Sequence, residues 1–383
     1  MSHFGVSVTI QLASGQMVSG GETAFTKPNA QARTGHGGGD KAGTFPREAR
    51  FARRTRKPGS MCDERLHSGP LVSVVIPTFD RPRYLRDAVR AALAQSYPNL
   101  EIIVQDNASA HDPAALLAEY GDPRIRIYRN DRTVGQTANF LVGIARARGT
   151  YVAILGDDDL WLPDFVATLV APMEADAGIA VAFCDHLIID ADGRVDPART
   201  EQVTRRFARH RLRPGAHARF DDIALLYRSI CIVSGAVIRR DAIDWSRVPE
   251  ELPLSADLYI AYLLAAAGGY CWYTPERLMQ YRHHPTQITL IDRSRLAEAR
   301  RGLNFWLTFL RDDRLGHHAY YKLMCAQKAA LIVLDRIARR DWRGLPRDLA
   351  AFFRLGLLDP RVLFYHLFYF VRFQAMGMRR LVP

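Results

Sequence analysis

Three consecutive carboxylates, Asp157, Asp158 and Asp159, follow the apolar run Tyr151-Val-Ala-Ile-Leu155 and the single residue Gly156. Left alone, three adjacent acids repel one another and resist ionising together. The cluster is tolerable where some of the carboxylates face water, or where a cation or hydrogen-bond donors sit among them. The apolar run ahead of it reads as a short buried strand, and Pro163 behind it suits the first turn of a helix. The acids therefore stand at the carboxyl end of a strand, the edge where open α/β sheets bind ligands. A solvated acidic turn is the alternative, and the triplet by itself does not separate the two.

The flanking chain must supply that sheet. Leu71-Val-Ser-Val-Val-Ile-Pro77 is a β-branched run of the kind found in buried parallel strands, and Pro77-Thr-Phe-Asp-Arg-Pro82 is its turn. Helical spacing covers 84–93, and Leu100-Glu-Ile-Ile-Val-Gln-Asp106 reads as a second strand ending in an acid. A helix at 113–120, an alternating strand at 124–128 and a helix at 136–147 lead to the strand before the triplet. This alternation is the signature of a parallel sheet with helices on its faces. Beyond it, 179–189 and 229–238 read as strands, 258–267 as a helix, and 293–357 as mostly helical, with no internal repeat. Residues 1–68 carry no sustained periodicity and read as a low-complexity leader; Gly35-His-Gly-Gly-Gly39 lacks the strand and helix of a phosphate loop. The basic cluster 50–57 reads as a solvated tail, and Met61 is an alternative start just ahead of the first ordered signal.

The totals narrow the class of partner. A net charge of +12 asks for an anion: a nucleotide, a nucleic acid or an acidic membrane face. The five cysteines, far apart and without a C-x-x-C pair, give neither a metal knuckle nor a disulfide framework, which suits a reducing cytoplasm. No apolar run is long enough to span a bilayer, and the N-terminus lacks the layout of a secretion signal.

Three blocks in order, Val72-Ser-Val-Val-Ile-Pro-Thr-Phe-Asp80, Ser96-Tyr-Pro-Asn-Leu-Glu-Ile-Ile-Val-Gln-Asp-Asn-Ala-Ser109 and Gly149-Thr-Tyr-Val-Ala-Ile-Leu-Gly-Asp-Asp-Asp159 with Pro163, resemble the family 2 glycosyltransferases. The resemblance covers roughly 71–290. It implies a GT-A type α/β fold, with a mostly parallel Rossmann-like sheet and helices on both faces, over 69–290. A helical C-terminal extension would occupy 291–383. It further implies a nucleotide-sugar donor (UDP- or another NDP-sugar), Mg²⁺ or Mn²⁺, and inversion at the anomeric carbon.

On the matching positions, the resemblance puts Pro77, Phe79, Asp106 and Asp157 at the nucleotide. Phe79 would pack its face on the base, where a core aromatic is the other reading. Asp106 would accept from the base's ring N–H, against a helix-capping turn through Asn107 or Ser109. Family members carry a paired acid before it where this chain has Gln105. Counting back from Pro163 puts Asp158 at the metal position, Asp157 nearer the ribose and Asp159 behind them. The first acid of the family's D-x-D falls on Gly156. A hard divalent ion suits carboxylate and diphosphate oxygens. Ser255-Ala-Asp-Leu-Tyr259 resembles the segment bearing the general base, so Asp257 would take the acceptor's proton, with Glu250 and Glu251 as fallbacks. Its alternative is a charge at the start of its helix. Tyr281-Arg-His-His-Pro-Thr-Gln-Ile-Thr289 resembles the segment after the catalytic helix; His284 matches a metal ligand and Arg282 faces phosphate. Ser234-Gly-Ala-Val-Ile-Arg239 resembles a strand lining the acceptor side.

The expected activity is transfer of a glycosyl group to a saccharide or lipid-linked hydroxyl in cell-surface polysaccharide synthesis. Val362-Leu-Phe-Tyr-His-Leu-Phe-Tyr-Phe-Val371, flanked by Arg361, Arg372, Arg379 and Arg380, is too short to cross a bilayer but long enough to lie in its interface. Packing on its own domain or on a second subunit is the alternative. The expected setting is the cytoplasm, peripheral at the inner face of the plasma membrane. A nucleotidyltransferase would place a glycine-rich basic loop where Pro77-Thr-Phe-Asp stands. A nucleic-acid-binding or scaffold protein has no use for the triplet, and the arginines are dispersed, so no nucleic acid is expected.

Overall fold

The computed structural model describes residues 69–218, 220–252, 256–285, 287 and 295–356. The leader and the apolar segment at 362–371 lie outside the described residues. In chain order, β1 (Val72–Thr78), α1 (Pro82–Leu93), β2 (Leu100–Asp106), α2 (Pro113–Leu117), β3 (Ile125–Arg129), α3 (Gln136–Ala145) and β4 (Tyr151–Ile154) alternate as the pattern predicts. There follow β5 (Leu160–Trp161), α4 (Phe165–Ala175), β6 (Ile179–Ile189), α5 (Pro197–Arg206), β7 (Gly215–Ala218), the single turn α6 (Ile232–Gly235) and β8 (Ala236–Arg239). The described chain closes with α7 (Ala256–Ala266), β9 (Tyr270–Arg282), α8 (Arg295–Leu310), α9 (His318–Ala338) and α10 (Leu345–Gly356).

These strands form one nine-stranded sheet in the order β3-β2-β1-β4-β8-β6-β9-β5, with β7 also on β9. The half carrying β3, β2, β1 and β4 is parallel, so Thr78 and Asp106, which pair in register, share the carboxyl edge at which β4 also ends. Antiparallel β8 then turns the sheet over to β6, which runs parallel to β9.

Strand residues alternate between two cores. Val72, Val74 and Ile76 pack with Leu85, Ala88 and Val89 of α1 and Phe165, Leu169 and Met173 of α4. Val75, Ile103 and Val152 pack on the opposite face with Phe140 and Ile144 of α3 and with α7. The buried positions of α1, Leu85, Ala88, Val89 and Ala92, have the spacing of a single helical stripe, and its proline stands in the first turn. Phe305, Trp306 and Phe309 of α8 and Tyr321 of α9 belong to the second core, with the Tyr262 and Phe309 rings 4.5 Å apart. The C-terminal helices thus share the sheet's own core. No helix among the described residues is long and apolar enough to cross a membrane.

Four local features depart from the sequence reading. Of the expected 229–238 strand, 236–238 alone falls within β8, because Ser234 has φ 70° and breaks the run. The helix expected from Pro163 begins two residues later, after the short β5 pairs with β9. The 113–120 helix keeps its α form to Leu117 and ends in a 3₁₀ turn. The long β9 goes unread in sequence because Thr274, Glu276, Arg277 and Gln280 interrupt its apolar pattern.

Candidate active site

The triplet leaves the carboxyl edge of β4 through Gly156, where side-chain room is lacking. A Cβ there would stand 3.1 Å from Asp158 Oδ1 and 3.3 Å from Ser234 Oγ. Asp157 and Asp158 share a donor in Arg81, and Asp159 has a separate set. Buried Asp157 accepts from Thr78 Oγ1 at 2.8 Å and from Arg81 Nη1 at 3.0 Å, with the Phe79 amide at 3.4 Å. Buried Asp159 accepts from Ser234 Oγ at 2.6 Å and from the Arg282 amide at 3.0 Å. Asp158 is the most open of the three. Its Oδ2 lies 2.8 Å from Arg81 Nη1 and 3.0 Å from His284 Nε2.

Burial and the neighbouring Asp158 push the Asp157 carboxyl up to about 6, against the pull of Arg81 and Thr78. Burial, again with Asp158 beside it, holds Asp159 well above the usual carboxylate range. Burial opposes the charge on Arg81, yet Asp157, Asp158 and Asp159 together keep its pKa raised. One guanidinium thus serves as shared counterion to two acids.

His284 is buried, and its ring packs on Tyr84 of α1 with centroids 4.9 Å apart. Arg282 lies across the same tyrosine, 4.9 Å from the centroid, and donates to the carbonyls of Asp158 at 2.8 Å and Ala191 at 3.1 Å. The buried Arg282 guanidinium braces the backbone around the triplet.

One carboxylate oxygen and one imidazole nitrogen that converge to 3.0 Å are a donor set that Mg²⁺ or Mn²⁺ accepts, with phosphate and water completing the shell. The residues present fit a divalent cation, and Arg81 occupies the position of its charge. Arg81→Ala should leave Asp157 and Asp158 uncompensated and lower stability by about 3 kcal/mol, as loss of one partner of a largely buried pair does. Added Mn²⁺ should restore part of the loss in a thermal melt, and a variant that neither loses stability nor responds to Mn²⁺ counts against the counterion role. Another group of ligand atoms, from Asp221, Asp222 and His317, lies within 4.8 Å of one another. The His317 to Asp222 pair at 3.2 Å and the Gly316 amide on Asp221 at 2.8 Å account for it as a stitch at the start of α9.

At the neighbouring strand end, Asp106 is fully buried and accepts from the Ser109 amide at 3.1 Å and from the Ser109 hydroxyl. Arg129 Nε stands 3.4 Å away. These bonds close the turn after β2, while α2 itself is capped by Asp112, whose side chain accepts from the Ala114 amide, so Asp106 is not a helix cap. A surface pocket opens beside it, lined by Thr78, Asp80, Arg81, Asp106, Ser109 and His111 among others. Phe79 is 46% exposed at the same edge, not a core aromatic, and Pro77 pairs in register with Gln105 one residue inside it. Gln105 donates to Asn130 Oδ1 at 2.9 Å, and Asn107 holds Val134 through its amide and carbonyl, both at 2.8 Å.

On the other side, Asp257 stands in the first turn of α7, half-buried. Burial pushes its carboxyl up to about 6, opposed by the Val233 amide that donates to it. Val233 precedes Ser234, whose hydroxyl holds Asp159, whose carbonyl accepts from Trp161 Nε1 at 2.6 Å, and which accepts from the Gly156 amide at 2.9 Å. One turn therefore touches both the triplet and Asp257. The fallback acids Glu250 and Glu251 are exposed. Sequence reasoning missed Arg81 and the bridging role of Ser234. The first had a signal, an arginine in the turn that follows β1; the second had none, since it depends on a left-handed φ.

Residues 73–244 match the family model described as Glycosyl transferase family 2. An uncharacterised glycosyltransferase of Rickettsia typhi is 32% identical over 122 residues, 32% of this chain and 38% of that protein. The succinoglycan biosynthesis protein ExoO of Rhizobium meliloti is 33% identical over 125 residues, 33% of this chain and 36% of that protein. The chain thus spans well under half the length of these relatives. Among solved structures, S. aureus TarS 1–349 in complex with UDP-GlcNAc superposes with a TM-score of 0.53 at 13% identity, over 74% of this chain and 79% of that one. Residues 73–244 therefore form a family 2 glycosyltransferase domain, on a GT-A-like fold with three helices appended.

Proposed function

We propose that this chain is an inverting glycosyltransferase. It moves a sugar from a nucleoside diphosphate to a hydroxyl of a saccharide or lipid-linked acceptor, with Mg²⁺ or Mn²⁺ as cofactor. The observation that carries the reading is the turn Val233-Ser234. It sets a carboxyl of raised pKa, Asp257, beside a carboxylate triplet at the carboxyl edge of the sheet. A proton acceptor and a diphosphate-handling group are thus held by consecutive residues. The relative named for succinoglycan biosynthesis and the UDP-GlcNAc complex of TarS support a nucleotide-sugar donor and a place in surface polysaccharide synthesis. The enzyme would work in the cytoplasm, peripheral at the inner face of the membrane.

In the reaction, Asp257 accepts the proton of the acceptor hydroxyl as that oxygen bonds to the anomeric carbon from the face opposite the diphosphate. The bond from that carbon to the diphosphate oxygen breaks, and its electron pair leaves with the nucleotide. A cation held by Asp158 and His284 would neutralise that leaving charge, an effect worth several kcal/mol. Arg81 stands within reach of the same oxygens once its acids are otherwise balanced. Asp106 supplies an acceptor at the base pocket, Asp157 lies nearer the ribose, and Phe79 offers an exposed ring face for stacking.

Phe79→Ala should weaken nucleotide binding by about 1–3 kcal/mol, or fivefold to a hundredfold, read by calorimetry with each nucleoside diphosphate. An unchanged Kd would remove Phe79 from the site. The reading as a whole is tested by a thermal-shift screen of nucleoside diphosphates and their sugars, with and without Mn²⁺. Ligands of the native state raise the melting temperature. A metal-dependent shift with one donor is expected, and no shift with any of them would sink the proposal. The turn after β1 lacks the glycine-rich loop of nucleotidyl transfer, so that alternative gains nothing from the structure.

A further inference from the structure

We propose that the outward face of α10, with the turn before it, docks on an anionic lipid bilayer. Trp342, in the turn between α9 and α10, is 60% exposed, the highest value among the exposed large apolar side chains. Pro346, Ala350 and Phe353 follow it at helical spacings of four, four and three, and all are exposed, Phe353 by 45%. Pro346, Ala350 and Phe353 form one stripe along the helix, with Trp342 in the turn just before it. Arg343, Arg347 and Arg354 run beside it at spacings of four and seven, also exposed. The adjoining face, Leu345, Leu349, Phe352 and Leu355, is half-buried, and Leu355 packs against the core shared by α8 and α9. The helix is therefore anchored on one face and exposes apolar side chains on the face beside it.

The charges favour a lipid surface over a protein partner of neutral character. Both acids of this segment, Asp341 and Asp348, are bonded to Arg336, which lies under Gly344 where a Cβ would run into its guanidinium. Arg339 pairs with Asp335 at 2.8 Å. Arg340, Arg343, Arg347 and Arg354 make no ion pair with a carboxylate among the described residues. A tryptophan and a phenylalanine in line, rimmed by uncompensated arginines, have the composition of a helix lying in the headgroup layer: rings at the acyl boundary, guanidiniums on anionic phosphate. The sequence after Gly356 continues in the same vein, with the apolar stretch 362–371 between Arg361 and Arg372. The inference does not rest on the transfer chemistry.

The test is co-flotation of the full-length chain with vesicles of phosphatidylcholine alone and of phosphatidylcholine with phosphatidylglycerol in equal amounts. Binding to the anionic vesicles only is expected. The triple variant Arg343→Gln, Arg347→Gln, Arg354→Gln should lose about fivefold in partitioning per arginine, on the order of a hundredfold in all. Trp342→Ser with Phe353→Ser should lower it further. A melting temperature and far-UV circular dichroism spectrum of each variant unchanged from the parent show that the fold is intact. The proposal is overturned if the parent chain floats with neither vesicle. It is equally overturned if the triple variant floats as the parent does, or if sedimentation shows the two aromatic substitutions dissociating a dimer.

Discussion

Asp158→Ala is expected to lower glycosyl transfer by roughly a thousandfold, the rate equivalent of losing several kcal/mol of charge neutralisation on the departing diphosphate. It is the most open of the three acids, and its Oδ2 is where His284 and Arg81 converge. The fold should survive, for a physical reason particular to this site. Asp158 is the like-charged neighbour that helps hold the carboxyls of Asp157 and Asp159 above their usual range. Removing it relieves repulsion inside the edge, so the variant should melt no lower than the parent in the absence of metal. Nucleotide release measures the first expectation, and calorimetry of nucleotide binding with and without Mn²⁺ measures its cause. A variant that stays active and still responds to Mn²⁺ would put the cation elsewhere.

Asp257→Asn should leave donor binding in place while turnover falls by about 10²–10⁴-fold, the usual contribution of a general base. With its carboxyl pushed up to about 6, Asp257 is mostly protonated below that pH and ionised above it. Turnover by the parent enzyme should therefore rise with pH through about 6 and level off, and the asparagine variant should lose that inflection. Stability moves the other way. A carboxyl whose pKa is raised on folding binds its proton more tightly in the native chain, so its contribution is complete below the unfolded value near 4 and is lost as pH climbs to about 6. Asp157, also at about 6, adds to the same trend. Melting curves across that interval, set beside the rate profile, test both signs together. Normal turnover in Asp257→Asn would pass the role to Glu250 or Glu251.

The first half of the fold was open to reading because β1, β2 and β4 are buried on both faces and mostly apolar, and β3 alternates cleanly. β2 starts and ends where its apolar run does, and Asp106 sits at its tip as the run implied. The second half was less open because its regularity comes from partners far along the chain. β5 is two residues long and exists through its pairing with β9. β9 itself is a strand whose polar positions are occupied by Arg277 and Gln280 for reasons of neighbours, not of pattern. In the site, the triplet and His284 are 126 residues apart at their contact, and a resemblance, not spacing, brought them together. Arg282 shows what that route leaves out. An arginine just ahead of two histidines suggests a phosphate contact, and in the folded chain it ties down carbonyls at Asp158 and Ala191.

Ser234 is fully buried at φ 70°, bonded on one side to Asp159 and followed back, one residue, to the amide that meets Asp257. Under the proposed transfer, the leaving-group side and the proton acceptor would hang from that single pivot. A donor that shifted Asp159 would then reach, through one peptide, the amide that meets Asp257, and would favour the donor's arriving before the acceptor.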